Sequence, residues 1–225
     1  MNLLTQAFAV ARKDLAIELR TKESLNAAGS FAIVILLIFS FAFESFSDEM
    51  GEFGGGLLWL VFVFAGALVF NRGFARELPN ECLDTLLASP LSAAALVIGK
   101  AFANFAMLLA VELVSLLVFG IFYGVDWLSV AGWLSLVFAL ATWGVSILGA
   151  VFGALTVNLR LRELMLPVII YPLMIPLLIA AIELTNTVLN HRPVSGQMEW
   201  IRVLVVSDIV FTLLAWVLAD TILVN

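Results

Sequence analysis

Six stretches of this chain are each long and apolar enough to cross a bilayer, and that property excludes almost every soluble fold. They run roughly Leu25 to Phe46, Leu57 to Phe74, Ala93 to Tyr123, Leu128 to Val157, Leu164 to Leu184 and Ile201 to Val224. About 20 apolar residues in a helix match a hydrocarbon core of about 30 Å, and a helix bonds its own backbone where no water can. Hydrophobic residues make up 63% of the chain and charged ones 12%. A soluble chain of 225 residues could not hide that much apolar surface. The sequence therefore predicts an all-α membrane protein, a single transmembrane domain over 1–225 with six spans. The third and fourth spans are longer than the bilayer requires, so they are expected to tilt or to extend into the cytoplasm.

Basic residues set the orientation. With the N-terminus inside, Arg12, Lys13, Arg20, Lys22, Arg72, Arg76, Lys100, Arg160 and Arg162 are cytoplasmic, and only Arg192 and Arg202 lie outside. That asymmetry is the positive-inside pattern, and with six spans it puts both termini in the cytoplasm. Trp59, Trp127, Trp133 and Trp200 then fall near the outer interface, where indoles prefer to sit. Residues 1–24 read as an amphipathic elbow helix in the headgroup plane. Leu4, Phe8, Ala11, Leu15 and Leu19 recur every three or four residues, with Arg12, Lys13, Asp14, Glu18 and Arg20 largely off that stripe. No cleavable signal peptide is expected there. Ser47 to Gly56 reads as a short acidic, glycine-rich outer loop.

Candidate chemistry is sparse. Cys82 is the single cysteine, which leaves no disulfide within one chain and no cysteine metal cluster. His191, the single histidine, lies in an outer loop beside Arg192 and Pro193. It reads as solvated, with axial ligation of heme as the sharper alternative. One histidine cannot make a His-Glu-x-x-His zinc site, so no metal site is expected. Gly54-Gly55-Gly56 lacks a following Gly-Lys-Ser/Thr, and no nucleotide-binding signature occurs elsewhere. The chain is expected not to be an enzyme; if its work uses ATP, another chain supplies the ATPase. Ser146 misses the spacing of a nucleophile elbow. Gly144, Ser146 and Ala150, with the Gly149-x-x-x-Gly153 pair, read instead as a small helix-packing face.

Ionisable residues inside spans carry a functional expectation, because a charge in hydrocarbon costs about 2.5–3.5 kcal/mol or more. Glu112, near the middle of the third span, and Asp208, two turns into the sixth, are the candidates for a protein interior or an aqueous path. The alternative is a pair of hydrogen-bonded structural carboxyls. Asp220 lies near the inner end of the sixth span, and Glu44 and Glu183 lie close to outer ends. In the fifth span Pro167, Pro172 and Pro176 remove backbone donors at intervals of five and four residues, which predicts a kinked or locally broken helix. Arg160, Arg162 and Glu163 form a basic inner turn just before it.

Between the second and third spans, residues 76–90 read as a short amphipathic helix. Asn80 can cap its start, Glu81 and Asp84 favour its first turn, and Pro90 stops it. Cys82, Leu83, Leu86 and Leu87 make its apolar stripe. It is either a membrane-surface connector or a docking helix for a cytoplasmic motor. In the docking reading the contact residues are Arg76, Glu77, Glu81, Leu83, Asp84, Leu86 and Leu87.

Arg76-Glu77, Cys82-Leu83-Asp84, Leu86-Leu87, Ser89-Pro90 and Gly99-Lys100 resemble the pattern of ABC-2-type transporter permeases around their coupling helix. Leu159-Arg160, Arg162-Glu163-Leu164 and the run from Leu166 to Ile179, with its Leu-Pro, Pro-Leu and Ile-Pro-Leu-Leu-Ile steps, resemble the CcmB family within that group. The resemblance covers essentially the whole chain. Glu81 and Cys82 depart from it, standing where that family has Gly-Thr. The resemblance implies a permease subunit of the cytochrome c maturation system. It implies a homodimer bound to two copies of the ATPase CcmA, with CcmC, CcmD and the heme chaperone CcmE as further partners. ATP would be used by the partner, heme would be handled by the complex, and hydrolysis would be linked to release of heme-loaded chaperone. The alternatives are an ABC-2 permease for another lipid or drug-like substrate, and a non-transport scaffold.

Overall fold

A computed structural model of the chain describes residues 2–42, 50–77, 91–156 and 162–223. Among them the regular structure is entirely helical: α1 (Leu3–Thr21), α2 (Glu23–Ala42), α3 (Met50–Ala75), α4 (Ala93–Tyr123), α5 (Ala131–Thr156), α6 (Arg162–Leu189) and α7 (Met198–Leu223). Short 3-10 turns, Leu128–Val130 and Val194–Gln197, lead into α5 and α7. Six helical stretches are long and apolar enough to cross a membrane. The predicted all-α architecture with an N-terminal elbow is therefore the observed one, and the predicted third span coincides with α4 at both ends. Residues 78–90, the body of the predicted coupling helix, lie outside the described residues, as do Glu44 and Arg160.

The limits of α4 have local causes. The Ser92 hydroxyl accepts the Ala95 N–H at 3.2 Å, capping the first turn, and Gly124 takes a left-handed conformation (φ +64°) at the other end. At 31 residues α4 is about 46 Å long, well beyond the hydrocarbon thickness. Its first turns are buried against α1, so the surplus length serves as the platform on which the elbow rests. Gly99 allows this: a Cβ there would come within 2.6 Å of the Ala7 carbonyl oxygen and 2.7 Å of Val10.

α5 is the centre of the bundle. It buries far more of its spanning stretch than α2 or α7 does. Its small face packs as predicted: Gly149 lies on the ring of Phe70 and Gly153 on Phe74, both from α3. Two expectations are corrected at the start of α3. Gly54-Gly55-Gly56 lies within α3 rather than in a loop; Gly55 packs on the Ile182 carbonyl and donates its N–H to the Asn186 side chain at 2.8 Å. Close approach to α6 outweighs the poor helix propensity of glycine. Trp59 is not an interfacial anchor but a core residue. It is 1% exposed, bonds the Thr185 hydroxyl at 2.9 Å and packs edge-on against Phe62 and Phe138.

Of the predicted kink or local break in the fifth span, the break does not occur, since α6 runs as one helix through Pro167, Pro172 and Pro176. Each proline removes one donor, and neighbouring structure in a bundle can re-satisfy the freed carbonyl.

Packing space separates two glycines of α5. Gly149→Ala would place a Cβ 2.6 Å from the Phe70 ring, whereas Gly132 has nothing within 4 Å. Gly149→Ala should lower stability by about 1–3 kcal/mol. Gly132→Ala should leave it unchanged or raise it slightly. Thermal unfolding of both variants in detergent checks this contrast.

Candidate functional site

Among the described residues, the densest polar cluster lies where α1 crosses the end of α3 and the start of α4. The hinge comes first. α1 ends at Thr21, Lys22 takes a left-handed φ of 53°, and α2 starts at Glu23. Glu18 closes this turn from the side: its carboxylate accepts the Leu25 N–H at 2.9 Å, filling one of the donors a helix start leaves open. Arg76, one residue past α3, donates to the other Glu18 oxygen at 2.6 Å and to the Ser24 hydroxyl at 2.9 Å.

The second half of the cluster centres on Lys100, whose side chain is 2% exposed. Its ammonium has three donors, and it meets three acceptors: Asp14 Oδ2 at 2.9 Å, the Gly73 carbonyl at 2.8 Å and Glu77 Oε1 at 2.7 Å. The ring of Phe74 lies beneath it, with the centroid 5.1 Å away. Lys13 reaches the same Glu77 oxygen at 2.5 Å and Asp14 at 3.2 Å. Lys13, Arg76 and Lys100 thus face Asp14, Glu18 and Glu77. Charge balance is what makes burying such a set tolerable. A cavity of about 40 Å³, lined by Asp14, Ser24, Arg76, Glu77 and Asn104 on one side and by Ile17, Val69 and Met107 on the other, is large enough for water.

Electrostatics agree with the geometry. Burial acts against the charged form of Glu77, but Lys100 and Lys13 outweigh it and hold the carboxyl below its ordinary value. Burial likewise opposes the Glu18 charge, and the Leu25 N–H, Arg76 and Ser24 reverse the balance and lower its pKa. Lys13 shows the mirror case: burial disfavours its charge, and Glu77 and Asp14 raise its pKa regardless.

The structure thus gives Arg76 and Glu77, expected to meet a docking partner, intramolecular roles. Glu77 is 7% exposed and is held by Lys13 of α1 and Lys100 of α4, and Arg76 is held by Glu18 of α1 and Ser24 of α2. Glu81, Leu83, Asp84, Leu86 and Leu87 lie outside the described residues. Beyond them, Ser92 donates its N–H and its hydroxyl to the Gln6 side chain, both at 3.3 Å. Both ends of the segment 78–90 are therefore fastened to the same helix, α1. The predicted elbow stripe divides accordingly. Leu4, Phe8 and Leu19 are exposed as a membrane-lying helix requires, while Ala7 and Val10 form a separate small face against α4 and Ala11 joins the main core. That second face was legible only as a run of small residues.

The intramembrane carboxyls are buried in protein. Glu112 is 2% exposed and accepts the Thr142 hydroxyl from α5; its Oε2 has no partner among the described residues. Asp208 is 8% exposed and lies against Gly144 of α5 and Leu177 of α6; its Oδ1 is likewise unpartnered. Thr142 and Gly144 are about 200° apart around α5, so the two carboxyls flank α5 and do not face each other. Asp220 and Glu183 are exposed, as is His191, and no group of three or more metal-ligating side chains occurs among the described residues.

Lys100→Met should uncover the Glu77 and Asp14 carboxylates and cost about 3–5 kcal/mol, a Tm drop on the order of 10 °C. Adding Glu77→Gln should recover part of that loss in a double-mutant cycle followed by thermal unfolding. The pH dependence has a defined sign. Glu18 and Glu77 titrate lower in the folded state, so their stabilisation is present above about pH 4.3 and is lost as pH falls through the depressed values. Lys13 titrates higher, so its share is present below about pH 10.4 and is lost as pH rises through the raised value. Amide exchange in α1 should be slow between about pH 5 and 10, after correction for intrinsic rates, and protection should fall on either side.

Comparison with known proteins places this arrangement. The CcmB protein family matches residues 5–224. Heme exporter protein B of Pseudomonas aeruginosa is 31% identical over 204 residues, covering 90% of this chain and 90% of that protein. Heme exporter protein B of Rhodobacter capsulatus is 28% identical over 79% of this chain and 81% of its own. The Escherichia coli K12 protein of that name is 24% identical over 84% and 86%. With a family match over nearly its whole length and relatives that align almost end to end, the chain belongs to the CcmB family.

Proposed function

We propose that this chain is the membrane permease subunit of an ABC-type heme exporter complex serving cytochrome c maturation. Membership of the CcmB family and relatives named heme exporter protein B support the reading, and they do not favour another lipid or drug as substrate. The six spans lie in the bacterial inner membrane with both termini cytoplasmic, two copies pair, and each binds a CcmA-type ATPase. CcmC, CcmD and the heme chaperone CcmE complete the assembly. The chain itself hydrolyses nothing and carries no resident cofactor; heme is what the complex handles.

The observation that carries the mechanism is the double fastening of 78–90 to α1, through Arg76 and Glu77 before it and Ser92 after it. The ATPase docks on Glu81, Leu83, Asp84, Leu86 and Leu87. Arg76 and Glu77 act one step inward, passing a push on that segment to the elbow helix and to Lys100. A shift follows only if the ATPase contacts differ between its nucleotide states. Glu112 and Asp208 stiffen the bundle around α5, and the proline-bearing α6 packs beside them.

Leu83→Glu combined with Leu86→Glu should abolish co-purification with the ATPase while leaving the permease folded and inserted. Unchanged binding by that pair would overturn the docking surface. Glu18→Gln should retain the ATPase but weaken the coupling of hydrolysis to cytochrome c maturation, measured as holocytochrome formed per ATP consumed.

A further inference from the structure

A groove of about 440 Å³ runs between α4 and α5 on the outside of the bundle, within the range of about 300–1,000 Å³ that holds small molecules. Leu113, Trp127, Leu134 and Phe138 make its walls, Ser135 lies at its rim, and Glu112 lines it. Leu113 is 57% exposed and both helices are long and apolar enough to span the membrane. The groove therefore opens sideways, toward hydrocarbon.

Glu112 is the unusual member. One carboxyl oxygen accepts the Thr142 hydroxyl; the other is buried and has no partner among the described residues. Leaving such a group unmatched costs about 1–3 kcal/mol. Asp208 also has an unmatched oxygen, but it sits close against the backbone of Gly144 and does not line this groove. Among the described residues, Glu112 combines a buried unpartnered oxygen with a groove that its side chain lines. The apolar walls exclude a charged or heavily polar occupant. A hydroxyl group both donates and accepts, so it completes Glu112 whether or not the carboxyl carries a proton.

We propose that the α4–α5 groove binds a membrane-dissolved, mainly apolar molecule through one hydroxyl group, which hydrogen-bonds Glu112 Oε2. The molecule enters laterally from the bilayer and occupies the groove between Leu113 and Phe138. The groove shares no lining residue with the junction around Lys100 and Glu77.

The test uses the intact chain in bilayer nanodiscs with a photoreactive long-chain alcohol as probe and its methyl ether as comparison. Labelling by the alcohol should saturate, map to residues 109–139 and exceed that by the ether about tenfold. Glu112→Leu should remove the preference, and Ser135→Trp, at an exposed rim position, should block both probes without disturbing the fold. Equal labelling by alcohol and ether in the unaltered chain would overturn the proposal. So would labelling spread over all lipid-facing helices, or a Leu113-to-Leu113 cross-link showing that a second copy covers the groove.

Discussion

A lysine ammonium with almost no access to water governs the inner half of this protein. Lys100 sits in the second turn of a spanning helix, and its charge is tolerable there only because three acceptors surround it. Those acceptors come from two different elements, so satisfying one amine fixes the relative positions of three helices. Asp14 pulls α1 onto α4, and Gly73 with Glu77 pins the end of α3 beside them. Gly99, directly before the lysine, removes the side chain that would keep α1 at a distance. The neighbouring glycine and lysine are thus two halves of one packing solution.

Much of the architecture was legible because membrane spans are a local property. Ala93 to Tyr123 could be bounded from sequence since its limits are local too: a serine cap and a left-handed glycine. The elbow helix announced itself through Leu4, Phe8 and Leu19. What sequence could not reveal was partner choice across long separations. Glu18 and Arg76 are far apart in the chain, and nothing in the composition around Arg76 distinguishes a residue facing a motor from one clasping its own N-terminal helix. Trp59 misled for the same reason. Tryptophan favours interfaces on average, but a Thr185 hydroxyl and two phenylalanine edges give this indole a better site inside. The glycine triplet read as a loop because glycine weakens helices, whereas helix-to-helix approach in lipid rewards its lack of a side chain.

α5 explains why two separated carboxyls can both be structural neighbours of one element. Three consecutive residues address three directions. Thr142 bonds Glu112 of α4, Trp143 donates to Thr212 of α7 at 3.1 Å while packing on Phe102 and Phe105, and Gly144 admits Asp208 and Leu177. A helix surrounded in this way cannot shift alone. Movement of α4 or α7 past it must break or re-form a named polar contact, and packed interfaces of that kind switch between arrangements rather than deform smoothly.

The inner junction and the Glu112 groove are connected by the geometry of a single rod. Lys100 and Glu112 lie on α4 twelve residues apart, about 18 Å along an unbroken helix. A spanning helix bends little over that distance unless proline or a bulge interrupts it, and α4 contains no proline. Displacement of α4 at the level of Lys100 therefore reaches the level of Thr142, where α5 holds the other side of the Glu112 contact. A pull on α1 that released Lys100 would free α4 at its inner end and leave the Thr142–Glu112 hydrogen bond as a restraint near mid-membrane. Occupancy of the groove and engagement of the elbow then act on one helix from two ends. Any molecule that distinguishes two positions of α4 beside α5 biases the junction by the same free energy with which the junction biases it.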